Sequence, residues 1–426
     1  MNAKYFFTFR KAHVAAMLFS AVLITVFTAC VPRFPEEIAE DNGFDPVRLE
    51  RLSATLDTYA AAGRLSGGVA LVMRNGETVF YHAFGLRDRE AADTMRVDAL
   101  FRIASQTKAI VSVAVMMLQE QGKLLISDPA GKYLPEFMNT TVLEEGRVVP
   151  AKRPITIRDL LTHTAGMGYG GGAVASYWQQ AGIQGWYFAD RDEPIRETVR
   201  RMAALPFDAH PGERYVYGYA TDILGALVEE VSGQPLDVFL QENIFEPLKM
   251  VDTFFYVPDD KVSRLAAVYS ASGDGGIERA PDPGAGVGQG HYVNGPRKSF
   301  SGGAGLVSTA RDYGRFLQMM LNDGKHNGRH ILSPATVQLM TVNHLRDIPW
   351  NPGLGFGLGF DVLLDVGARG TPGAPGDFGW GGAYHSTFWV SPHDKLVVVF
   401  FTQLLPATGS DIHGKLRTLI YQAMVE

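Results

Sequence analysis

The sequence predicts an α/β (α+β) fold, in which a central antiparallel sheet is flanked by helices and joined by a second, mainly helical lobe. Three observations predict it. Two apolar strands joined by the hairpin signal Asn75-Gly76 stand near the start of the chain. Two more strands, Thr387–Ser391 and Leu396–Gln403, stand near its end. Helical periodicity dominates the region between them.

The α/β lobe is predicted to be discontinuous, built from residues 46–130 and 300–426. Its elements follow from apolar periodicity, from the hairpin signal and from caps such as Ser308-Thr309 and the helix stop Gly122. In chain order they are a helix at 46–62, strands at 68–73 and 78–84, helices at 109–121 and after 308, a strand at 357–363, the two C-terminal strands and a closing helix at 413–425.

Residues 131–299 are predicted to form the mainly helical lobe, with helices near 156–163, 193–204, 222–232 and 235–247. A loop-rich stretch, Gly166–Trp186, carries several tyrosines and tryptophans that would be costly to leave exposed. It is therefore predicted to line an active-site cleft. Such a cleft is expected between the two lobes, where ligand pockets are common.

The first 29 residues are predicted to be a signal peptide, since a basic start precedes the apolar run Val14–Ala29, which is shorter than the roughly 20 residues of a membrane span. Phe27-Thr-Ala-Cys30 resembles a bacterial lipobox, with Phe27 in place of the usual leucine. This predicts lipidation at Cys30, a linker over 30–45 and an exported protein, either periplasmic or a membrane-anchored lipoprotein. The alternatives are ordinary signal-peptide cleavage and an uncleaved anchor.

Composition excludes several function classes. The chain is 46% hydrophobic and 20% charged, as is ordinary for globular proteins, and its net charge of −6 gives no reason to expect nucleic acid as a partner. The sequence has one cysteine, no His-Glu-x-x-His and no Walker loop, so neither a metal nor a cofactor is predicted. Gly-x-Ser-x-Gly is also absent, which argues against an α/β-hydrolase nucleophile. The sequence does not indicate an oligomeric state.

Ser105-Gln-Thr-Lys108 is the most informative motif, because it opens the long apolar helix. A serine and a lysine three residues apart lie on one face of a helix, so the amine is able to take the hydroxyl proton. The helix N-terminus also favours negative charge that develops nearby. Ser-x-x-Lys alone is a weak signal, and the alternative is a plain surface pair.

Two later stretches strengthen the motif. Tyr217 follows a Pro-Gly turn and lies just before a predicted helix, so its phenol is able to project into a cleft. Trp380-Gly381-Gly382-Ala383 precedes the C-terminal strands, where paired glycines let a backbone approach a ligand and an N–H contribute to an oxyanion hole. The alternatives are core packing for the tyrosine and a glycine bulge at a sheet edge.

Together these stretches, in this order, resemble the serine β-lactamase-like superfamily, which includes class C β-lactamases, D-Ala-D-Ala peptidases and family VIII carboxylesterases. The resemblance also rests on Ile155 to Gly166, with its Leu-Leu-Thr-His-Thr-Ala-Gly. It implies a β-lactamase/transpeptidase-like fold and a nucleophilic Ser105 that forms an acyl-enzyme. It further implies that Lys108 and Tyr217 supply the base and the proton donor, and that the N–H groups of Ser105 and Ala383 form the oxyanion hole.

Two departures from the family pattern bear on the substrate. Tyr219 replaces the asparagine of Tyr-x-Asn, and Trp380 replaces the lysine or histidine that holds a substrate carboxylate in penicillin-active members. Losing that charge-assisted hydrogen bond, worth about 1.5–3 kcal/mol, costs carboxylate-bearing substrates about one to two decades of preference. Tyr219, Trp380, Gly381 and Gly382 are predicted to contact substrate.

The predicted function is therefore a carboxylesterase-like serine hydrolase that cleaves small neutral esters. A β-lactamase or D-Ala-type peptidase, acting on a small β-lactam or peptide, is one alternative, and an inactive envelope lipoprotein that binds cell-wall peptides is another. The resemblance implies that His163 shapes the cleft and takes no part in the chemistry. His385 is predicted to be a strand-edge residue, with a place at the cleft mouth as the alternative, and Asp222 is predicted to stabilise the first turn of its helix.

Overall fold

Eight antiparallel strands form the sheet that organises the computed structural model, which describes residues 36–273, 275–407 and 409–426. Across the sheet the strands are Leu354–Phe356, Asp361–Leu363, Phe378–Gly382, Ser386–Ser391, Leu396–Thr402, Gly67–Arg74, Glu77–Asp88 and Asp93–Thr94. The predicted antiparallel sheet is thus confirmed, and it joins strands from both ends of the chain.

The central strands are apolar throughout because both of their faces are covered. Leu396–Thr402 is buried along its whole length and pairs with Gly67–Arg74. One face of the sheet packs against helices Pro46–Ala61 and Ile412–Ala423. The opposite face packs against helix Ala310–Leu321 and shares the main core with the helical part of the chain.

Thirteen α-helices occur among the described residues. In chain order they are Glu36–Asp41, Pro46–Ala61, Thr107–Glu120, Ile157–Leu161, Ala175–Gln180, Ile195–Met202, Ala220–Ser232, Leu236–Leu240, Glu246–Leu248, Ala310–Leu321, Pro334–Met340, Val366–Arg369 and Ile412–Ala423. None of the helices in the described part of the chain has the length and hydropathy that crossing a bilayer requires.

Small sheets complete the fold. Their strands are Phe101–Arg102 with Val307–Ser308, Thr141–Glu144 with Arg147–Pro150 and Pro206–Phe207, Tyr269–Ala271 with Ile277–Arg279, and Lys325–His326 with Arg329–His330. The first of these pairs leads directly into the helix Thr107–Glu120, called the central helix below. The central helix is apolar on nearly all sides, in keeping with the burial of eleven of its fourteen residues. Helix Ala220–Ser232 packs against it.

The structure differs from the prediction in two places. The segment predicted as one strand at 357–363 is two strands, Leu354–Phe356 and Asp361–Leu363, joined by a turn in which Gly359 has a φ of +94°. A side chain at Gly359 would stand 2.3 Å from the Ser112 hydroxyl, so this turn requires glycine. The described part of the predicted linker, 36–45, contains helix Glu36–Asp41 and the buried Phe44.

The predicted signal peptide, residues 1–29, and the lipidation site Cys30 lie outside the described residues. Export and lipid attachment therefore stay predictions. The division into lobes at 46–130, 131–299 and 300–426 also stays a prediction.

Candidate active site

Ser105 lies in a tight turn between a short strand and the central helix. The turn Ala104–Gln106 is a single 3₁₀ turn, and Ala104 adopts a φ of +41°. A left-handed conformation costs a non-glycine residue about 1–2 kcal/mol, so the surrounding packing must hold this turn in place. The N–H of Ile103 donates to the Leu306 carbonyl and supplies part of that support. The strained turn presents Ser105 at the N-terminus of the helix.

Lys108 is 2% exposed, and its ammonium has three neighbouring oxygens. Its Nζ lies 3.4 Å from the Ser105 Oγ, 3.1 Å from the Tyr169 hydroxyl and 2.6 Å from the Gly303 carbonyl oxygen. An ammonium has three donors, so this arrangement satisfies a buried charge that would otherwise be costly. The predicted Ser105–Lys108 neighbourhood is present, although the contact with Ser105 is the longest of the three.

Tyr217 completes the group that the sequence singles out. The Lys108 Nζ stands 4.8 Å from the centre of its ring, which is cation–π distance. Its hydroxyl accepts a hydrogen bond of 3.3 Å from the indole N–H of Trp380. Both Tyr217 and Ser105 line a cleft of about 620 Å³. Residues that are far apart in the chain therefore meet at one cleft beside Ser105.

Phe378–Gly382, called the glycine strand below, borders the same cleft. Trp380, Gly381, Gly382 and Ala383 all line it. A Cβ on Gly382 would stand 2.5 Å from the Ile103 carbonyl oxygen, which means that only glycine lets this strand approach the Ser105 turn. The hydrogen bonds of the two turns beside this contact are donated by amides other than those of Ser105 and Ala383. The Gln106 N–H donates to the Ile103 carbonyl, and the His385 N–H donates to the Gly382 carbonyl.

Tyr169 is a member of the site that the sequence did not identify individually. It belongs to the stretch predicted to line the cleft, and it does so. Its hydroxyl also accepts the hydrogen bond from the Lys108 ammonium. Burial, reinforced by Tyr217, raises the pKa of Tyr169 well above its usual value, so its phenol stays protonated. Trp186, from the same stretch, also lines the cleft, whereas Trp178 is fully buried.

The structure corrects the prediction for Tyr219. This side chain is fully buried and does not line the cleft. Its hydroxyl donates to the Gly185 carbonyl at 2.8 Å, and its ring stacks on Trp178. The position compared above with the asparagine of Tyr-x-Asn therefore serves packing here, because the bulky ring turns into the core instead of towards the cleft.

His163 and His385 occupy different environments: the first is buried beside Tyr217, and the second lines the cleft. His163 is 2% exposed, and its ring packs 4.7 Å from that of Tyr217, in keeping with the predicted role in shaping the cleft. Burial, and then the charge of Lys108, hold the pKa of His163 well below its usual value, so the ring is neutral. His385 lines the cleft and stacks on His413 at 4.1 Å. Burial and repulsion from His413 lower its pKa to about 3.

The wall beside Tyr217 is aromatic. Trp380 stacks on Trp350 at 6.2 Å and meets Phe356 edge-on at 5.2 Å. Two cations, Arg369 and Arg417, also line the cleft. Arg417 packs on Trp389. Trp380 is paired with Phe388, the residue before Trp389, and neighbouring residues of a strand point to opposite faces of the sheet. Trp389 and Arg417 therefore lie on the face opposite to Trp380. Arg417 also forms an ion pair with Asp377 at 2.7 Å, so it does not replace a lysine at position 380.

Comparison with known proteins gives consistent matches over most of the chain. A family model described as Beta-lactamase matches residues 52–422. Esterase EstB from Burkholderia gladioli is 35% identical over 373 residues, covering 83% of this chain and 89% of EstB. Protein Rv1367c from Mycobacterium tuberculosis is 33% identical over 389 residues, covering 86% of this chain and 92% of that protein.

A solved structure is also similar. EstCE1, described as a hydrolase with promiscuous acyltransferase activity, superposes with a TM-score of 0.75 at 29% identity, covering 88% of this chain and 99% of that one. The matched span of the family model contains Ser105, Lys108, Tyr217 and the glycine strand.

Proposed function

Because the chain belongs to the beta-lactamase family and is a hydrolase of that family, we propose that it is a carboxylesterase that cleaves small neutral esters through an acyl-enzyme on Ser105. One observation carries the proposal: the Ser105, Lys108 and Tyr217 group opens into a cleft whose wall at position 380 is a tryptophan. Such a wall favours an apolar group over a carboxylate.

In the proposed reaction, the Ser105 Oγ attacks the ester carbonyl carbon while its proton passes to the Lys108 and Tyr217 pair. The N–H groups of Ser105 and Ala383 bind the oxyanion that develops. When the intermediate collapses, the alcohol leaves with a proton from the same pair. Water then attacks the acyl carbon and gives one proton to the same pair. The bond to Ser105 breaks, the acid leaves, and the pair returns that proton to the Ser105 oxygen.

Purified protein, assayed against p-nitrophenyl butyrate, a chromogenic cephalosporin and a peptide ending in D-Ala-D-Ala, tests the proposal. We expect kcat/KM to be highest for the ester. A cephalosporin or peptide hydrolysed far faster than the ester would identify a β-lactamase or peptidase instead. If the folded protein hydrolyses none of the three and no fluorophosphonate labels it, the inactive binding protein is the better description.

Replacing Trp380 by lysine should shift the substrate preference. A lysine at this position supplies a charge-assisted bond to a carboxylate, so the kcat/KM ratio of cephalosporin to ester should rise about 10–100-fold. Trp380→Phe is the matched control, because it keeps an apolar ring and loses only the indole N–H that Tyr217 accepts. If the lysine variant keeps the wild-type ratio, position 380 does not set specificity.

Replacing Gly382 by alanine should lower kcat/KM for the ester about 10²-fold. Its methyl group would clash with the Ile103 carbonyl, so the glycine strand must move away from the Ser105 turn and misplace the proposed oxyanion hole. Gly381→Ala is the comparison: there the nearest atom to the new Cβ is the Ser386 carbonyl oxygen, at 3.1 Å. The kcat/KM of the Gly381→Ala variant should fall by less than about tenfold. Equal losses in the two folded variants would contradict this account.

A further inference from the structure

Asp222 is a buried carboxylate with no part in the proposed reaction. It stands in the first turn of helix Ala220–Ser232, as the sequence predicts, and it is 1% exposed. Its Oδ1 accepts hydrogen bonds from the Ser301 hydroxyl at 2.6 Å and from the Gly303 N–H at 3.0 Å. The carbonyl of that same glycine accepts the Lys108 ammonium at 2.6 Å. One residue, Gly303, therefore contacts the carboxylate through its N–H and the lysine through its carbonyl.

The backbone around Gly303 is shaped to fit the start of the helix. A Cβ on Gly303 would stand 2.4 Å from the Asp222 Oδ2, and one on Gly302 would stand 2.5 Å from the Thr221 carbonyl oxygen. Ser301 adds a second bond by accepting the N–H of Ala304 at 3.2 Å. A first-turn carboxylate that only balanced a helix dipole would not need such a close approach. The segment 301–304 is instead held against Asp222.

Lys108 and Asp222 are the charged groups of this region. The other titratable side chains that face them are His163, Tyr169, Tyr217 and Tyr219, from the loops at 163–169 and 217–219. The histidine and Tyr169 are held neutral by burial, as described above, and burial also raises the pKa of Tyr219. Burial raises the pKa of Asp222 as well, while the charge of Lys108 and the bonds from Ser301 and Gly303 act in the opposite direction.

We propose that Asp222 is a positioning residue for Lys108. By accepting from the Gly303 N–H it fixes the backbone of Gly303, whose carbonyl accepts from the ammonium. Its negative charge also favours the protonated lysine. The use of Lys108 in catalysis rests on the proposed function, whereas the coupling of the two charges does not. The expected direction of the effect does not depend on which protonation state of Lys108 catalysis needs. Without the negative charge of Asp222, the Lys108 ammonium should lose its proton at lower pH.

Asp222→Asn tests the coupling, because asparagine keeps the size and one acceptor oxygen but loses the charge. The measurement is an NMR titration of the Lys108 amine in protein carrying ¹³C at lysine Cε, with the signal identified by its absence in Lys108→Met. We expect the midpoint to fall by about one pH unit. The limb of the kcat/KM profile that Lys108 controls should move in the same direction.

Asp237→Asn is the matched control, since Asp237 also lies in the first turn of a helix, Leu236–Leu240, but has no contact with Lys108 in the described structure. It should leave the midpoint unchanged. An unchanged midpoint in Asp222→Asn overturns the charge coupling. This titration needs no turnover, so a protein that hydrolyses no ester refutes the proposed function without affecting this result.

Ser301→Ala tests the positioning role independently, and it guards against a poorly folding Asp222 variant. It removes one donor to Asp222 and keeps the charge. The Lys108 midpoint should stay within about 0.3 pH units, while kcat should fall about fivefold, as expected for the loss of one hydrogen bond. A wild-type kcat in this variant would show that the Gly303 carbonyl needs no such support, and the positioning role would fail.

Discussion

Replacing Ser105 by alanine is expected to lower kcat/KM for p-nitrophenyl butyrate by about 10⁴–10⁶-fold, which is the range for loss of a catalytic nucleophile. The hydroxyl is the only group of this residue that is able to form the acyl-enzyme, and its backbone N–H, kept in the variant, still serves the proposed oxyanion hole. The variant should fold normally, because alanine already occupies the more strained position 104 in the same turn.

Covalent labelling gives a second measurement of the same role. A fluorophosphonate should label the wild-type protein once, on the peptide that contains Ser105, and should leave the alanine variant unlabelled. Ser112→Ala is the control, since Ser112 is a buried serine on the same central helix that does not line the cleft. It should keep both labelling and turnover. Turnover that survives in Ser105→Ala would mean that another group is the nucleophile.

The Ser105 and Lys108 pair could be predicted because its geometry is local. A spacing of three residues at a helix start places both side chains on one face, whatever the rest of the chain does. The antiparallel sheet was predictable for a similar reason, since the Asn75-Gly76 hairpin and the apolar strand Leu396–Thr402 carry their own signals. Tyr217 required the family resemblance, because no local pattern fixes how far a loop reaches.

The other partners of Lys108 could not be predicted from any local pattern. Gly303 is 195 residues away in sequence, and it reaches the ammonium through its backbone carbonyl, which carries no side-chain signal. Tyr169 was predicted only as one of several aromatic residues in a cleft wall. The motif predicts that Tyr219 contacts substrate, but its ring stacks on Trp178 and lies in the core. Tertiary packing determines the positions of Gly303, Tyr169 and Tyr219.

Replacing Tyr217 by phenylalanine is expected to lower kcat by about 10²–10⁴-fold, the range for loss of a general acid–base group. The ring should stay in place, since it packs against His163, Tyr169 and Trp380, so the variant loses only the hydroxyl. If that hydroxyl transfers protons in both half-reactions, acylation and deacylation should both slow. Single-turnover measurements with p-nitrophenyl butyrate, which separate the release of p-nitrophenol from the release of butyrate, check this.

Tyr215→Phe is the matched control for this substitution. Tyr215 lies two residues earlier, and its buried hydroxyl has no hydrogen-bond partner among the described residues, so removing that hydroxyl should leave kcat unchanged and cost no stability. The Trp380→Phe variant separates a further effect, because Tyr217→Phe also leaves the Trp380 N–H without its acceptor. If Trp380→Phe loses as much kcat as Tyr217→Phe, the indole bond matters and the phenol does not transfer the proton. If Tyr217→Phe itself keeps a near wild-type kcat, Lys108 alone must serve Ser105 across the 3.4 Å that separates them.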